Sequence, residues 1–309
     1  MGKFVKNIAL FFLYFLLLLV VVIGVYKLKT GVTLKNMPAP NLTNDYALND
    51  KLSFSARKQA DIITVGSSMG LDNINSDVVI SNLKSDSYLN LSAWGLSVKD
   101  IFLMTKTYAS IHKPSIIIFS SNYCDFQFED KKFDDKEVRD YLTEAKPSMH
   151  DLFLNFSLGY YFTNFAYAKH IKSGDNFYES LVYDKYGAVS LNPANFKISL
   201  KRWNMVDFKG FREEAYDYLD SVSNFCKRDN IRLLFFQCPI RNGIYKDMKK
   251  DQFLAHINRV RPILLKNGQV FIVSNDRPWA DSLYVDALHF NSNGTKIFTA
   301  YCFDKYKGK

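Results

Sequence analysis

The chain has 309 residues, of which 48% are hydrophobic and 23% charged, as in a globular protein rather than a disordered one. Its formal net charge is +9, yet no basic stripe or nucleic-acid-binding motif accompanies that charge, so we expect no nucleic acid partner. The four cysteines lack metal-ligand spacing and there is no glycine-rich phosphate loop. The sequence therefore predicts neither a metal site nor a cofactor.

An uncharged apolar run at residues 8–26 predicts a helix that spans the membrane. At about 1.5 Å per residue it is roughly 28 Å long, close to the thickness of a hydrocarbon core. A cleaved signal peptide is the alternative, but Lys27 and Lys29 follow the run in place of a small-residue cleavage site. We predict an uncleaved anchor over residues 1–29 and a polar tether over residues 30–55. Lysines lie on both sides, so charge leaves the orientation open.

Beyond the tether, from residue 56 to residue 309, apolar strands alternate with helices. Strands are predicted at residues 59–65, 87–91, 115–119, 231–237 and 269–273. Helices are predicted at residues 73–83, 98–112, 208–228, 249–266 and 292–306. This alternation predicts a three-layer α/β/α sandwich with a mainly parallel five-stranded sheet. Residues 129–206 form an insertion that the sheet does not need. We interpret it as a helical segment that packs its aromatic residues on the domain, with a lid over the site as the alternative.

Polar residues follow the predicted strands at the edge where a parallel sheet binds its ligands. Ser68 offers a hydroxyl, Gly95 a backbone N–H and Asn122 an amide. Asp286 stands three residues before His289 in the loop after the last strand. An aspartate so close can hold one ring nitrogen while the other accepts a proton from a hydroxyl. These are the parts of an acyl-transfer site with an oxyanion hole, although each of them alone is more typical of a turn, a helix cap or a surface residue.

In this order, Gly66-Ser67-Ser68, Gly95, Asn122 and Asp286-x-x-His289 resemble the conserved blocks of the SGNH (GDSL-like) hydrolase superfamily, which has a flavodoxin-like fold. The resemblance covers about residues 59–126 and 207–300. It implies that Ser68 is the nucleophile, His289 the base and Asp286 the carboxylate that orients the base. It also implies an oxyanion hole formed by the N–H groups of Ser68 and Gly95 and the Asn122 side chain.

One position departs from the family pattern. Ser67 stands where the family has aspartate, so Ser67 stays open as an alternative nucleophile. Three further residues at the same edge are candidates for substrate binding: Trp94, Tyr123 and Arg241. For Arg241, a structural ion pair is an equally good interpretation.

An N-terminal anchor before an SGNH-like domain resembles two groups of bacterial proteins: DltD-type proteins of teichoic-acid D-alanylation, and the SGNH partners of membrane-bound O-acyltransferases. This resemblance implies a single-pass protein of the cytoplasmic membrane with an extracytoplasmic catalytic domain. The expected activity is that of a serine acyltransferase or esterase acting on acetyl or D-alanyl groups of cell-surface polysaccharide or teichoic acid. A membrane-bound O-acyltransferase is a candidate partner. A carbohydrate or lipid esterase, and a non-catalytic glycan-binding scaffold, are the alternatives.

Overall fold

The structure is a computed structural model of the chain. It describes residues 2–30, 41, 43, 45–131, 135–144, 157, 159–161, 163–164, 168, 180–192, 198–204, 209–247 and 250–308. Much of the predicted insertion at residues 129–206 lies outside the described residues, and so does the part of the predicted tether at residues 31–40.

A five-stranded sheet forms the middle layer. Its strands are β1 (Ile62–Gly66), β2 (Tyr88–Asn90), β3 (Ile116–Ser121), β4 (Arg232–Gln237) and β5 (Val270–Val273). They lie in the order β2-β1-β3-β4-β5 and every neighbouring pair is parallel, which confirms the predicted α/β sheet. The strands are almost wholly buried because helices cover both faces, and this explains their continuous apolar sequences. In this register Gly66 lies opposite Ser120, so the ends of β1 and β3 meet at one edge.

The five helices predicted in the domain appear in the predicted order, mostly with shifted bounds, and the described residues contain further helices that the sequence did not predict. They are α1 (Gly2–Thr30), α2 (Tyr46–Ser55), α3 (Ser68–Asp72), α4 (Ser76–Leu83), α5 (Val98–His112), α6 (Asp135–Glu144), α7 (Leu200–Asn204), α8 (Glu213–Arg228), α9 (Asn242–Asp247), α10 (Lys250–Leu265) and α11 (Ser292–Lys307). The helix predicted at residues 73–83 is present as α4 but begins at Ser76, because the Asn75 side chain accepts a hydrogen bond from the Val78 N–H and caps it there. The short helix α3, which precedes it, was not predicted.

The predicted tether over residues 30–55 is wrong at its C-terminal end. Asp45 caps α2 by accepting a hydrogen bond from the Leu48 N–H, and Leu48 and Leu52 are buried in the main core. The Lys51 ammonium, also buried, donates hydrogen bonds to the backbone carbonyls of Gly187 (2.5 Å) and Asn90 (3.2 Å). The polar composition of the segment hid this helix, because Leu48 and Leu52, at i and i+4, are its only fully buried residues in the main core.

The N-terminal helix α1 carries a long apolar span that the rest of the chain does not cover. Residues Gly2–Val25 are long and apolar enough to cross a membrane, and none of that span is buried against the rest of the chain. A membrane anchor and a signal sequence both have these properties.

Candidate active site

The turn after β1 places Ser68 at the carboxyl edge of the sheet. A Cβ atom at Gly66 would lie 2.4 Å from the Ser120 carbonyl oxygen, so only glycine allows β1 to approach β3 this closely here. Ser67 then caps α3, and Ser68 is the first residue of that helix. The Ser68 hydroxyl therefore stands at the start of a helix, above the end of the sheet.

A chain of hydrogen bonds joins Ser68 to the loop after β5. Ser68 Oγ lies 2.8 Å from His289 Nε2, and His289 Nδ1 lies 2.8 Å from Asp286 Oδ2. The second carboxylate oxygen of Asp286 accepts hydrogen bonds from the backbone N–H groups of Leu288 (2.8 Å) and His289 (2.7 Å). Because an ionised carboxylate only accepts, the proton of the neutral ring stays on Nδ1, and Nε2 is left to accept the proton of the Ser68 hydroxyl.

Carboxylates set the electrostatics of His289. Burial lowers its pKa, but the charge of Asp286 and its hydrogen bond to the ring raise it, and Asp72 and Asp125 add to this increase. The effect of the carboxylates exceeds that of burial, and the pKa of His289 is raised to about 9. The site therefore stabilises a positive charge on the imidazole, which is the charge that a general base acquires when it takes a proton.

Asn73, which sequence reasoning missed, holds the backbone on both sides of His289. Its side chain donates a hydrogen bond from Nδ2 to the Leu288 carbonyl oxygen (3.1 Å) and accepts one at Oδ1 from the Phe290 N–H (2.8 Å). Asn73 is fully buried and directly follows α3, the helix that begins with Ser68. The amide thus fixes the loop of His289 to the helix of Ser68. No local pattern could reveal this contact, which spans 215 residues of sequence.

Ser67 makes different contacts from Ser68. Its hydroxyl is fully buried, donates a hydrogen bond to Asp125 Oδ1 (2.7 Å) and accepts one from the Met69 N–H (3.2 Å). Asp125 also accepts from the Ser121 hydroxyl (2.8 Å) and the Asn122 N–H (2.9 Å) through Oδ2. Burial raises the pKa of Asp125 to about 6 despite these donors. Asp125 therefore connects the loop after β1 to the loop after β3, and the Ser67 hydroxyl makes the bond on the β1 side.

Two of the three predicted oxyanion donors have backbone N–H groups without a backbone acceptor among the described residues. The Ser68 N–H lies in the first turn of α3, where helices leave their N–H groups without internal partners. Gly95 adopts a φ of +62° in the turn after β2. Among the described residues, neither N–H donates a hydrogen bond to the backbone. The Asn122 amide is more occupied: Nδ2 donates to the Cys238 carbonyl oxygen (3.2 Å) and Oδ1 accepts from the Cys124 N–H (3.2 Å), which leaves one N–H.

The three candidates for substrate binding have different environments. Tyr123 is a core residue, 1% exposed, whose ring packs against two phenylalanines, so the prediction that it binds substrate is wrong. Arg241 is buried and bonded to Asp281 (2.6 Å) and to the Trp203 carbonyl oxygen (2.8 Å), which matches the structural ion pair. Trp94 is partly exposed and remains at the site.

Trp94 leads to a second buried carboxylate that sequence reasoning missed. Its indole N–H donates to Asp72 Oδ2 (3.3 Å), while the buried Asp72 Oδ1 has no hydrogen-bond partner among the described residues. Asp72 follows Ser68 by four residues and so shares its face of α3. Burial raises the pKa of Asp72 to about 7, and nearby His289 opposes this increase. The described residues contain no group of three or more His, Cys, Asp or Glu that could hold a metal ion.

Comparison with known proteins gives matches in three-dimensional structure alone. No protein-family model and no curated protein matches the chain. A lipase/acylhydrolase from Enterococcus faecalis aligns at 12% identity and a TM-score of 0.41, covering 80% of this chain and 95% of that one. An acetyl xylan esterase aligns at 12% identity and a TM-score of 0.40, covering 80% and 98%. An alpha/beta hydrolase from the metagenome of Lake Arreo, Spain, aligns at 9% identity and a TM-score of 0.43, covering 83% and 98%. Overlap at such TM-scores carries no weight for activity or substrate.

Proposed function

We propose that the protein is a serine esterase or acyltransferase that acts through an acyl-serine intermediate. The observation that carries this proposal is the hydrogen-bonded chain from Ser68 Oγ through His289 to Asp286, with both bonds to the ring at 2.8 Å. A serine hydroxyl is a weak nucleophile until a base takes its proton, and a base held by a carboxylate meets that need. The same three residues are the nucleophile, base and carboxylate that the resemblance to SGNH hydrolases implies.

In the first half-reaction the Ser68 oxygen attacks an ester carbonyl while its proton moves to His289 Nε2. The negative charge that develops on the carbonyl oxygen is stabilised by the N–H groups of Ser68 and Gly95 and by the remaining N–H of the Asn122 amide. Asp286 stabilises the imidazolium, which then gives its proton to the leaving alcohol. An acyl-Ser68 ester remains.

In the second half-reaction His289 takes a proton from the acceptor, and the acceptor oxygen attacks the acyl-Ser68 carbonyl. The bond to the Ser68 oxygen then breaks, and the imidazolium returns its proton to that oxygen, which restores the free hydroxyl. Water as acceptor makes the protein an esterase, and a sugar hydroxyl makes it an acyltransferase. The neutral ring with its proton on Nδ1 suits either acceptor. The esterase and the acyltransferase share the same acyl-Ser68 intermediate.

We further propose a setting outside the cytoplasmic membrane, with α1 as the anchor and O-acetyl or D-alanyl groups of surface polysaccharide or teichoic acid as substrates. The support is the exposed apolar helix α1 and the net charge of +9, which favours anionic polymers and membranes. A membrane-bound O-acyltransferase would be the partner that delivers or receives the acyl group.

The test uses the full chain in detergent, p-nitrophenyl acetate as substrate and a fluorophosphonate probe as covalent label. We expect the wild-type protein to release p-nitrophenol and to be labelled, and Ser68→Ala to lose labelling and at least about 10⁴-fold in kcat. Ser67→Ala is the matched control: it removes a hydroxyl from the adjacent residue but leaves the bond between Ser68 and His289, so labelling should persist.

Labelling that survives in Ser68→Ala but disappears in Ser67→Ala would contradict the assignment of the nucleophile. A well-folded wild-type protein that is neither labelled nor active would contradict acyl chemistry and favour the glycan-binding scaffold. The acceptor is tested separately, by measuring ester-linked acetyl and alanyl groups on the surface polymer of cells that carry wild-type protein or Ser68→Ala.

A further inference from the structure

Lys131 is bound to the loop that carries Gly95. The Lys131 ammonium donates a hydrogen bond of 2.7 Å to the carbonyl oxygen of Trp94, the residue before Gly95. A Cβ atom at Gly95 would lie 3.9 Å from the ammonium nitrogen and from the carbon that bears it, so the side chain runs alongside Gly95. Lys131 lies at the beginning of the segment predicted as an insertion.

The carbonyl that Lys131 binds belongs to the same peptide group as the Gly95 N–H. That peptide is trans, and in a planar trans peptide the C=O and N–H bonds point in opposite directions. The ammonium therefore lies on one side of the loop, and the Gly95 N–H points to the other side. Within the part of the chain that the structure describes, this N–H donates no hydrogen bond to a backbone carbonyl.

Lys131 is itself held by two carboxylates. Its ammonium forms an ion pair of 2.5 Å with Asp45, the residue that caps α2. Its backbone N–H donates to both carboxylate oxygens of Asp100 (3.2 and 3.1 Å), in the first turn of α5. Asp100 is fully buried and belongs to the capping box with Ser97. Lys131 thus connects α2, the turn at Gly95 and the start of α5.

We propose that Lys131 is a positioning residue that aims the Gly95 N–H at the developing oxyanion of the acyl-transfer site; this inference rests on the proposed function. Lys131 has no contact with the reacting atoms. It fixes the orientation of one peptide group before the substrate arrives, so no reorganisation is needed during the reaction. A cation on the carbonyl also polarises that peptide and makes its N–H a stronger donor.

The competing explanation is an ordinary ion pair between Lys131 and Asp45. Their side chains are 17% and 32% exposed, and an ion pair that water still reaches contributes little to stability. Such a pair would affect the unfolding midpoint slightly and would leave kcat unchanged. A positioning residue changes kcat, because the N–H that it orients is used mainly in the transition state.

The experiment measures kcat and KM for p-nitrophenyl acetate, and inhibition by a phenylboronic acid, with the full chain in detergent. A boronate adduct on serine imitates the tetrahedral intermediate. Lys131→Met should lower kcat about tenfold, less than the 10²- to 10³-fold cost of losing an oxyanion donor, and should leave KM within about threefold. The boronate inhibition constant should rise by a similar factor.

Lys99→Met is the matched control. Lys99 pairs with Asp130, the neighbour of Lys131, through an exposed contact of 3.3 Å that does not involve Trp94. Its kcat should equal that of the wild type. Lys131→Arg keeps a cation within reach of the carbonyl and should recover part of the loss. It also serves as the test variant if Lys131→Met does not fold, in which case it should show a smaller fall in kcat together with weaker boronate binding.

A folded Lys131→Met with wild-type kcat and boronate affinity would overturn the positioning role, and so would an equal loss in Lys99→Met. In both cases the active wild type leaves the proposed function standing. A folded wild-type protein without activity or fluorophosphonate labelling would overturn the proposed function and the role of Lys131 with it.

Discussion

Two histidines of this protein are hydrogen-bonded at both ring nitrogens, yet their environments have opposite effects. His289 lies between Ser68 and Asp286 at the sheet edge, and its pKa is raised to about 9. His256 is fully buried, with Nδ1 3.1 Å from the Tyr216 hydroxyl and Nε2 3.0 Å from Gln237 Oε1. Burial, with a smaller contribution from the charge of Arg259, lowers the pKa of His256 to about 3.

The difference teaches that the partners of a histidine, more than its burial, decide whether it can hold a proton. Tyr216 and Gln237 are neutral, and Gln237 accepts from Nε2–H while Nδ1 accepts from the tyrosine. The aromatic rings of Phe126 and Phe211 surround His256, so nothing compensates a positive charge there. His256 is a structural residue. His289 has three carboxylates nearby and can cycle between its two states.

Substituting each histidine in turn should give the largest difference in activity. We expect His289→Ala to lose about 10⁴-fold or more in kcat, because no other group can take the Ser68 proton. His256→Gln should keep near wild-type kcat but lose about 1–3 kcal/mol of unfolding free energy, since buried polar partners lose a bond. Esterase assays and thermal unfolding of both variants test this. A His256→Gln protein that is stable and inactive would break the distinction.

The pH profile should show the raised pKa of His289 directly. The neutral ring is the base, so kcat/KM should rise about tenfold per pH unit and level off near the pKa of about 9. Asp286→Asn removes the group that contributes most to the increase, so activity should fall about 10³-fold or more and the inflection should move to lower pH. An inflection at the same pH in Asp286→Asn would show that Asp286 does not stabilise the imidazolium.

The smallest of these effects concerns stability in acid. The folded pKa of His256 is lowered to about 3 while the unfolded value is near 6.5, so below pH 6.5 the unfolded state binds more protons. The stability from the neutral ring is present above pH 6.5 and is lost as the pH falls toward 3, by about 2 kcal/mol at pH 5 at 1.36 kcal/mol per unit.

Denaturant unfolding of wild type and His256→Gln at pH 8 and pH 5 tests this loss. The raised pKa values of Asp72 and Asp125 give the opposite slope, but both proteins share them, so the difference isolates His256. The difference in unfolding free energy between the wild type and His256→Gln should be smaller at pH 5 than at pH 8. A gap of constant size would mean that His256 is not kept neutral by the fold.

Residues that act within one segment were predictable, and residues that act between segments were not. The Asp286–His289 pair is local, and its hydrogen bond follows from a spacing of three residues. Asn73 and Asp125 work across distances of 215 and 58 residues, through contacts that exist only once β1, β3 and the last loop are assembled. Tyr123 shows the opposite error, because a residue next to Asn122 at the sheet edge points into the core.

The sequence by itself determined the parallel sheet, since runs such as residues 116–119 of β3 are apolar on both faces and need helices on each side. It also determined which strand ends carry polar groups. Only the tertiary structure decided between two adjacent hydroxyls: Ser67 lies against Asp125 and Ser68 against His289. Neighbouring residues point in different directions where a strand turns into a helix, and their partners come from distant parts of the chain. Long-range contacts also decided the place of two predicted segments. The Lys131 ammonium, in the predicted insertion, joins the turn at Gly95 to Asp45, which caps α2 in the predicted tether.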